Sequence, residues 1–146
     1  MPKLPSMLTG SAPKTYTAYH VVSIFDKQSD RPKQFEVDRR FSDFEKLLAH
    51  LQKSPEQLIL PDLPKKRFFN SSEQVIELRR TELEKFLKTL LRSPELREES
   101  AVKYFLTQQE GFEVFLGNVG RYDWAHRALS SIDPKYFSID MLKAVA

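Results

Sequence analysis

Arg39, Arg40 and Phe41 stand side by side, two planar permanent cations next to an aromatic ring. A guanidinium fork meets phosphate or carboxylate oxygens two at a time. More cations recur at Lys65-Lys66-Arg67 and at Arg79-Arg80. Gathered at one place over Phe41 as a floor, Arg40, a lysine of the middle group and Arg79 suit a phosphorylated, sugar-like ring. The plainer alternative is that Arg39 and Arg40 are solvated charges at a strand end. Phe68 and Phe69 follow the middle group directly. Two adjacent large apolar residues in a cationic loop do not both reach a core. Phe69 is expected to pack inward and Phe68 to dip into a lipid interface. Burying a phenylalanine contributes about 1.5–3 kcal/mol, and each cation at an anionic surface about 1 kcal/mol. Stable anchoring needs both signals together.

The elements that must position these groups are legible in the patterning. Tyr16 to Phe25 alternates as a strand, with Tyr19, Val21 and Phe25 on one face and His20, Val22 and Ile24 on the other. A polar turn holding Asp30 and Pro32 closes a hairpin onto Gln34-Phe35-Glu36-Val37-Asp38, which alternates in turn. Phe44, Leu47, Leu48 and Leu51 recur at helical spacing, and Ser42 with Glu45 fits a capping box. This predicts a helix from Ser42 to about Lys53. Asn70, Ser71 and Ser72 offer caps for a long helix over residues 73–92, with Val75, Ile76, Leu83, Phe86, Leu87, Leu90 and Leu91 inward. Ala101 to Leu106 reads as a further helix. Gly117 and Gly120 mark a boundary. The expected organisation is a flexible leader at 1–14, a domain at 15–116 and a helical C-terminal extension at 117–146. Ile139, Met141, Leu142 and Val145 would give that extension an apolar face for a membrane or a protein partner. The fold class is α+β, a small antiparallel sheet followed by helices.

Composition narrows the function. The chain has 146 residues, a net charge of only +3 and no cysteine. This gives no disulfide framework, thiol nucleophile or cysteine metal site. His20, His50 and His126 form no metal-ligand pattern, and no histidine pairs with a nucleophile in a recognisable motif. No catalytic residue, metal or cofactor is therefore assigned, and no enzyme activity is expected. Glu36, Asp43, Asp62, Glu77 and Glu82 interrupt the cations, so nucleic acid is not the expected partner. No apolar run approaches the roughly 20 residues that span a bilayer, and no signal peptide is visible. A cytoplasmic, peripherally membrane-bound module fits.

The order Arg40-Phe41-Ser42-Asp43-Phe44, Leu63-Pro64-Lys65-Lys66, Glu77-Leu78-Arg79 and Leu83-Glu84-Lys85-Phe86-Leu87 resembles the Phox-homology (PX) family of phosphoinositide-binding domains found in sorting nexins. The likeness covers roughly residues 16–116. It implies a three-stranded antiparallel sheet packed on a helical subdomain with a proline-rich loop. It also implies binding of phosphatidylinositol 3-phosphate on endosomal membranes, in trafficking or sorting. Position by position, Arg40 would hold the 3-phosphate and Phe41 would lie under the inositol ring, where the family often has tyrosine. Lys66 would contact the 1-phosphate, and Arg79 the 4- and 5-hydroxyls. Arg39 would support its neighbour, and Phe68 with Phe69 would form the membrane-insertion loop. The proline-rich segment ahead of Tyr16 departs from the family in lacking a clear first strand. A competing function uses Pro61-x-x-Pro64-x-Lys66 as a ligand for a Src-homology domain, because a preformed extended proline helix with one cation suits an aromatic-lined groove.

Overall fold

The two alternating stretches pair as an antiparallel hairpin. The computed structural model describes residues 17–25, 30, 33–54, 59–64, 72–118 and 138–145, the last stretch by its backbone course. Strand β1 is Ala18–Phe25 and β2 is Lys33–Arg40. Their register runs from Ala18 opposite Arg40 to Phe25 opposite Lys33. Tyr19, Val21 and Val37 enter the core. On the other face of β1, Val22 is also buried, at 3% exposed.

Helix α1 (Phe41–Gln52) follows β2 without a loop. It starts one residue before the expected Ser42, and the cap is different. Arg40 is the N-cap residue, and its backbone N–H donates to the Asp43 carboxylate at 2.8 Å. The cause is the strand register: pairing carries through to Arg40, so the first free helical amides fall one turn ahead of Asp43. Phe44 then fixes how the helix is rotated. It is fully buried and meets three rings edge-on, Phe105 at 4.9 Å and Tyr19 and Phe86 each at 6.4 Å. Such pairings add to the area each ring buries.

Helix α2 (Glu73–Arg92) has the predicted bounds, with the Ser72 hydroxyl accepting from the Val75 N–H at 3.3 Å. Its buried stripe is Leu83, Phe86, Leu87, Leu90 and Leu91; Val75 and Ile76 are only half-buried. Three short helices complete the helical layer: α3 (Pro94–Glu98), α4 (Ser100–Thr107) and α5 (Phe112–Gly117). All of Ala101 to Leu106 in α4 is buried, Lys103 included.

The sheet departs from expectation at its third place. Within residues 15–116 the described residues supply two strands, not three. The strand on the other side of β1 is β3 (Ser138–Val145), giving the order β2-β1-β3. These residues were expected to be helical. Their apolar positions suit the pleat as well: Ala144, Leu142 and Ile139 lie opposite Tyr19, Val21 and Ser23, the core-facing row of β1. One residue, Asp140, is left over where the register shifts between Val22 and Ser23. The expected leader at 1–14 lies outside the described residues.

Candidate functional site

Arg39 and Arg40 are neighbours in sequence with opposite environments, because successive strand side chains face opposite ways. Arg39 is 2% exposed. Its guanidinium donates to the backbone carbonyls of Phe105 (2.9 Å), Gln109 (3.2 Å), Tyr104 (3.3 Å) and Gln108, all at or just beyond the end of α4. It also lies over the rings of Phe105 and Phe112, at 5.0 and 5.1 Å. Helix ends leave carbonyls without intrahelical partners, and a cation there answers the helix dipole. Burial lowers the Arg39 pKa to about 10, which leaves it charged at neutral pH. Arg39 is thus a structural cation that ties β2 to α4. Arg40, by contrast, is exposed at the mouth of the β2–α1 junction.

Phe41 opens α1, is half-buried and packs on the core edge. Two turns into α2, Arg79 places its guanidinium 4.8 Å from the centre of the Phe41 ring. Arg79 also acts on the Tyr19 hydroxyl: burial raises the pKa of Tyr19, and the nearby Arg79 charge partly offsets the rise. Phe41 and Arg79, far apart in sequence, are therefore brought together beside the strand ends, with Arg40 adjoining Phe41. Arg80 faces elsewhere. It is engaged along α2 with Glu77 at 2.8 Å and Glu84 at 3.5 Å.

A cavity of about 540 Å³ begins at Phe41 and runs between α1 and the proline segment. Glu45, Leu48, Ala49 and Gln52 line one wall, and Asp62, Leu63 and Pro64 the other. Pro64 precedes Lys66 by two residues, so the cavity wall leads into the cationic stretch. Lys66, Phe68 and Phe69 themselves lie outside the described residues. Among the described residues, no helix is long and apolar enough to cross a membrane.

Sequence reasoning missed a second cluster. The sequence places His20, on β1, in no metal-ligand or catalytic pattern. Its Nδ1 lies 2.7 Å from Asp38 Oδ1 and its Nε2 2.8 Å from Glu36 Oε1, both on β2. Gln109 adds a further tie: its side-chain oxygen accepts from the Asp38 N–H at 2.7 Å, and its amide donates to the Asp38 carbonyl at 3.1 Å. The signal for His20 lay in the hairpin register, which puts it directly opposite Asp38. Nothing local announces Gln109.

Residues 27–109 match the PX domain family. The chain is 40% identical over 94 residues to sorting nexin-3 of Yarrowia lipolytica, covering 64% of this chain and 62% of that protein. It is 36% identical over 99 residues to sorting nexin-3 of Neurospora crassa, covering 67% and 70%. It is also 32% identical over 114 residues to sorting nexin-1 of Homo sapiens, where the match covers 69% of this chain and 22% of that protein. The chain thus spans less than two thirds of the first of these relatives and about a fifth of the last.

Proposed function

The chain belongs to the PX domain family, and on that premise we propose that it is a phosphoinositide-binding, membrane-targeting module in trafficking or sorting. Its ligand is phosphatidylinositol 3-phosphate, on the cytoplasmic surface of endosomes. The observation that carries this reading is the Arg79 guanidinium over the Phe41 ring, with Arg40 next to Phe41. Arg40 takes the 3-phosphate, Lys66 the 1-phosphate and Arg79 the ring hydroxyls, while Phe41 supplies the apolar floor. The cation–π contact holds Arg79 near its working position before ligand arrives, so less side-chain freedom is lost on binding. The loop bearing Phe68 and Phe69 adds a second, less specific hold by entering the bilayer.

Co-sedimentation with vesicles carrying each phosphoinositide in turn tests the reading. Wild-type protein is expected to pellet with the 3-phosphate vesicles and Arg40→Ala to stay in solution. Phe68→Ala is expected to bind vesicles weakly and the soluble headgroup almost normally. Equal loss of headgroup binding in both variants would refute this division of labour. Added salt should weaken vesicle binding, less steeply than for a purely electrostatic contact.

The Src-homology ligand reading requires Pro61 and Pro64 to be presented outward. Leu60 and Leu63 pack on the core, and Pro64 lines the cavity. The proline segment is engaged by its own chain, which favours the lipid reading.

A further inference from the structure

We propose that the open edge of β2, at Gln34 and Glu36, docks an extended segment of a partner protein that alternates cationic and apolar side chains. The inference does not depend on the headgroup reading.

In the order β2-β1-β3, β2 lies at one edge of the sheet. Along an antiparallel strand, successive residues direct their N–H and C=O groups toward alternate sides. Two observations fix which residues of β2 face outward. The Asp38 N–H and C=O are both engaged by the Gln109 side-chain amide, and the Arg40 N–H by the Asp43 carboxylate. Gln34 and Glu36 have the same parity, so their backbone groups also point off the edge. Among the described residues, none bonds to those groups. The edge is therefore closed toward Arg40 and open toward Lys33. Gln109 is the stop between the two, since its amide stands where the next residue of an added strand would pair.

An added strand is held by main-chain hydrogen bonds and selected by its alternate side chains. Residues directly opposite one another share a face of the sheet, and opposite charges there attract. Gln34, Glu36 and Asp38 share the face turned from the core, while Phe35, half-buried at the core's rim, lies on the other. His20 lies against both carboxylates, yet the Glu36 and Asp38 side chains stay 51% and 52% exposed. A cation thus suits the position opposite Glu36, and an apolar residue the position beside Phe35. A second copy of this chain fits less well. Paired antiparallel about Phe35, it would set Glu36 opposite Gln34 and diagonal to the other Glu36, with no cation facing either. Gln34 and Arg40 are roughly 20 Å apart along the strand, so a docked segment leaves the Arg40 end uncovered.

Fluorescence anisotropy tests this with a labelled peptide of about seven residues alternating lysine and valine, long enough to span the open edge. One control replaces its lysines by glutamates. The other N-methylates the lysines, which keeps their charge and removes the N–H groups that would pair. Wild type is expected to bind the parent peptide at least about tenfold more tightly than either control, the worth of one or two main-chain hydrogen bonds. Gln34→Pro removes an outward N–H that β1 does not use. With an unchanged melting temperature, it should weaken binding by about tenfold as well. Gln109→Ala frees the Asp38 groups and should favour a peptide longer by about two residues over the parent. Equal binding of the parent and the N-methylated peptide overturns the inference, because charge alone would then explain it. Equal binding of the lysine and glutamate peptides overturns it too. If light scattering shows a peptide-free dimer that Gln34→Pro abolishes, the edge belongs to a second copy and the proposal falls.

Discussion

His20 has a carboxylate oxygen at each ring nitrogen, and only the imidazolium can donate to both at once. The geometry therefore favours the charged ring, and its pKa is raised, chiefly by Asp38 and then by Glu36. The pKa of Glu36 is lowered, chiefly by His20. The sign follows for each. A raised histidine pKa stabilises fully below its unfolded value and loses that contribution as pH rises through the folded value. A lowered carboxylate pKa stabilises above its unfolded value and loses the contribution as pH falls through the folded one. The clamp thus works between the lowered Glu36 titration and the raised His20 titration, and fades as pH rises through the latter. Comparing wild type with His20→Gln by thermal unfolding, the stability gap should be widest in mildly acid buffer and narrow as pH rises past His20. A gap independent of pH would contradict this. Arg39 makes a different expectation at the same scale. Arg39→Ala leaves several carbonyls at the α4 terminus without their donor, and a loss on the order of 3 kcal/mol is expected in denaturant unfolding. Arg39→Lys should not restore it, because an ammonium does not reproduce a planar fork. The family resemblance set Arg39 apart as a support for Arg40, and its buried bonds to backbone carbonyls agree; residue type alone did not divide the pair. Separating them required knowing which face of β2 meets α4, a tertiary fact that strand alternation alone leaves open.

At the scale of elements, most boundaries were readable because apolar spacing and caps agreed. Ser72 and Ser93-Pro94 bracket α2 as expected. The start of α1 was misread for a specific reason. Ser42 with Glu45 and Arg40 with Asp43 have the same three-residue offset, and local chemistry favours serine as the cap. Pairing of Arg40 with Ala18 decides for the other pair. Asp43→Ala should therefore lose about 1 kcal/mol, within the usual range for a cap, and Ser42→Ala should stay within about 0.5 kcal/mol. Chemical denaturation of both variants checks this, and the reverse ranking would show the helix starting later. Because Arg40 and Phe41 sit on this junction, Asp43→Ala should also weaken headgroup binding by a modest factor.

For the whole molecule, the meeting of Phe41 and Arg79 was more legible than the sheet. The convergence of Phe41 with Arg79 was anticipated from two motifs, and both motifs lie on strongly patterned elements. Lys66, Phe68 and Phe69 remain expectations drawn from sequence. A third strand was expected, but not from residues 138–145, since the apolar positions of residues 139–145 admit a helical stripe or a pleat with one irregularity. Only the partner strand chooses between them. Removing residues 138–146 uncovers one edge of β1, so a lower melting temperature and a greater tendency to self-associate are expected. Calorimetry and light scattering on the shortened chain would show it; an unaltered melting temperature would mean that β3 contributes nothing to the fold.

The placement of β3 also bears on how the chain comes off the ribosome. The central strand of the sheet is made before the described helices and one of its two neighbours after them. A nascent chain must carry an incompletely paired β1 until residues 138–145 are made, at about 5–20 residues per second. Pairing between such distant segments is slow to form. Folding of the sheet thus waits for residues 138–145, and a ribosome stalled before residue 138 would hold a chain whose described helices can form but whose sheet cannot yet close.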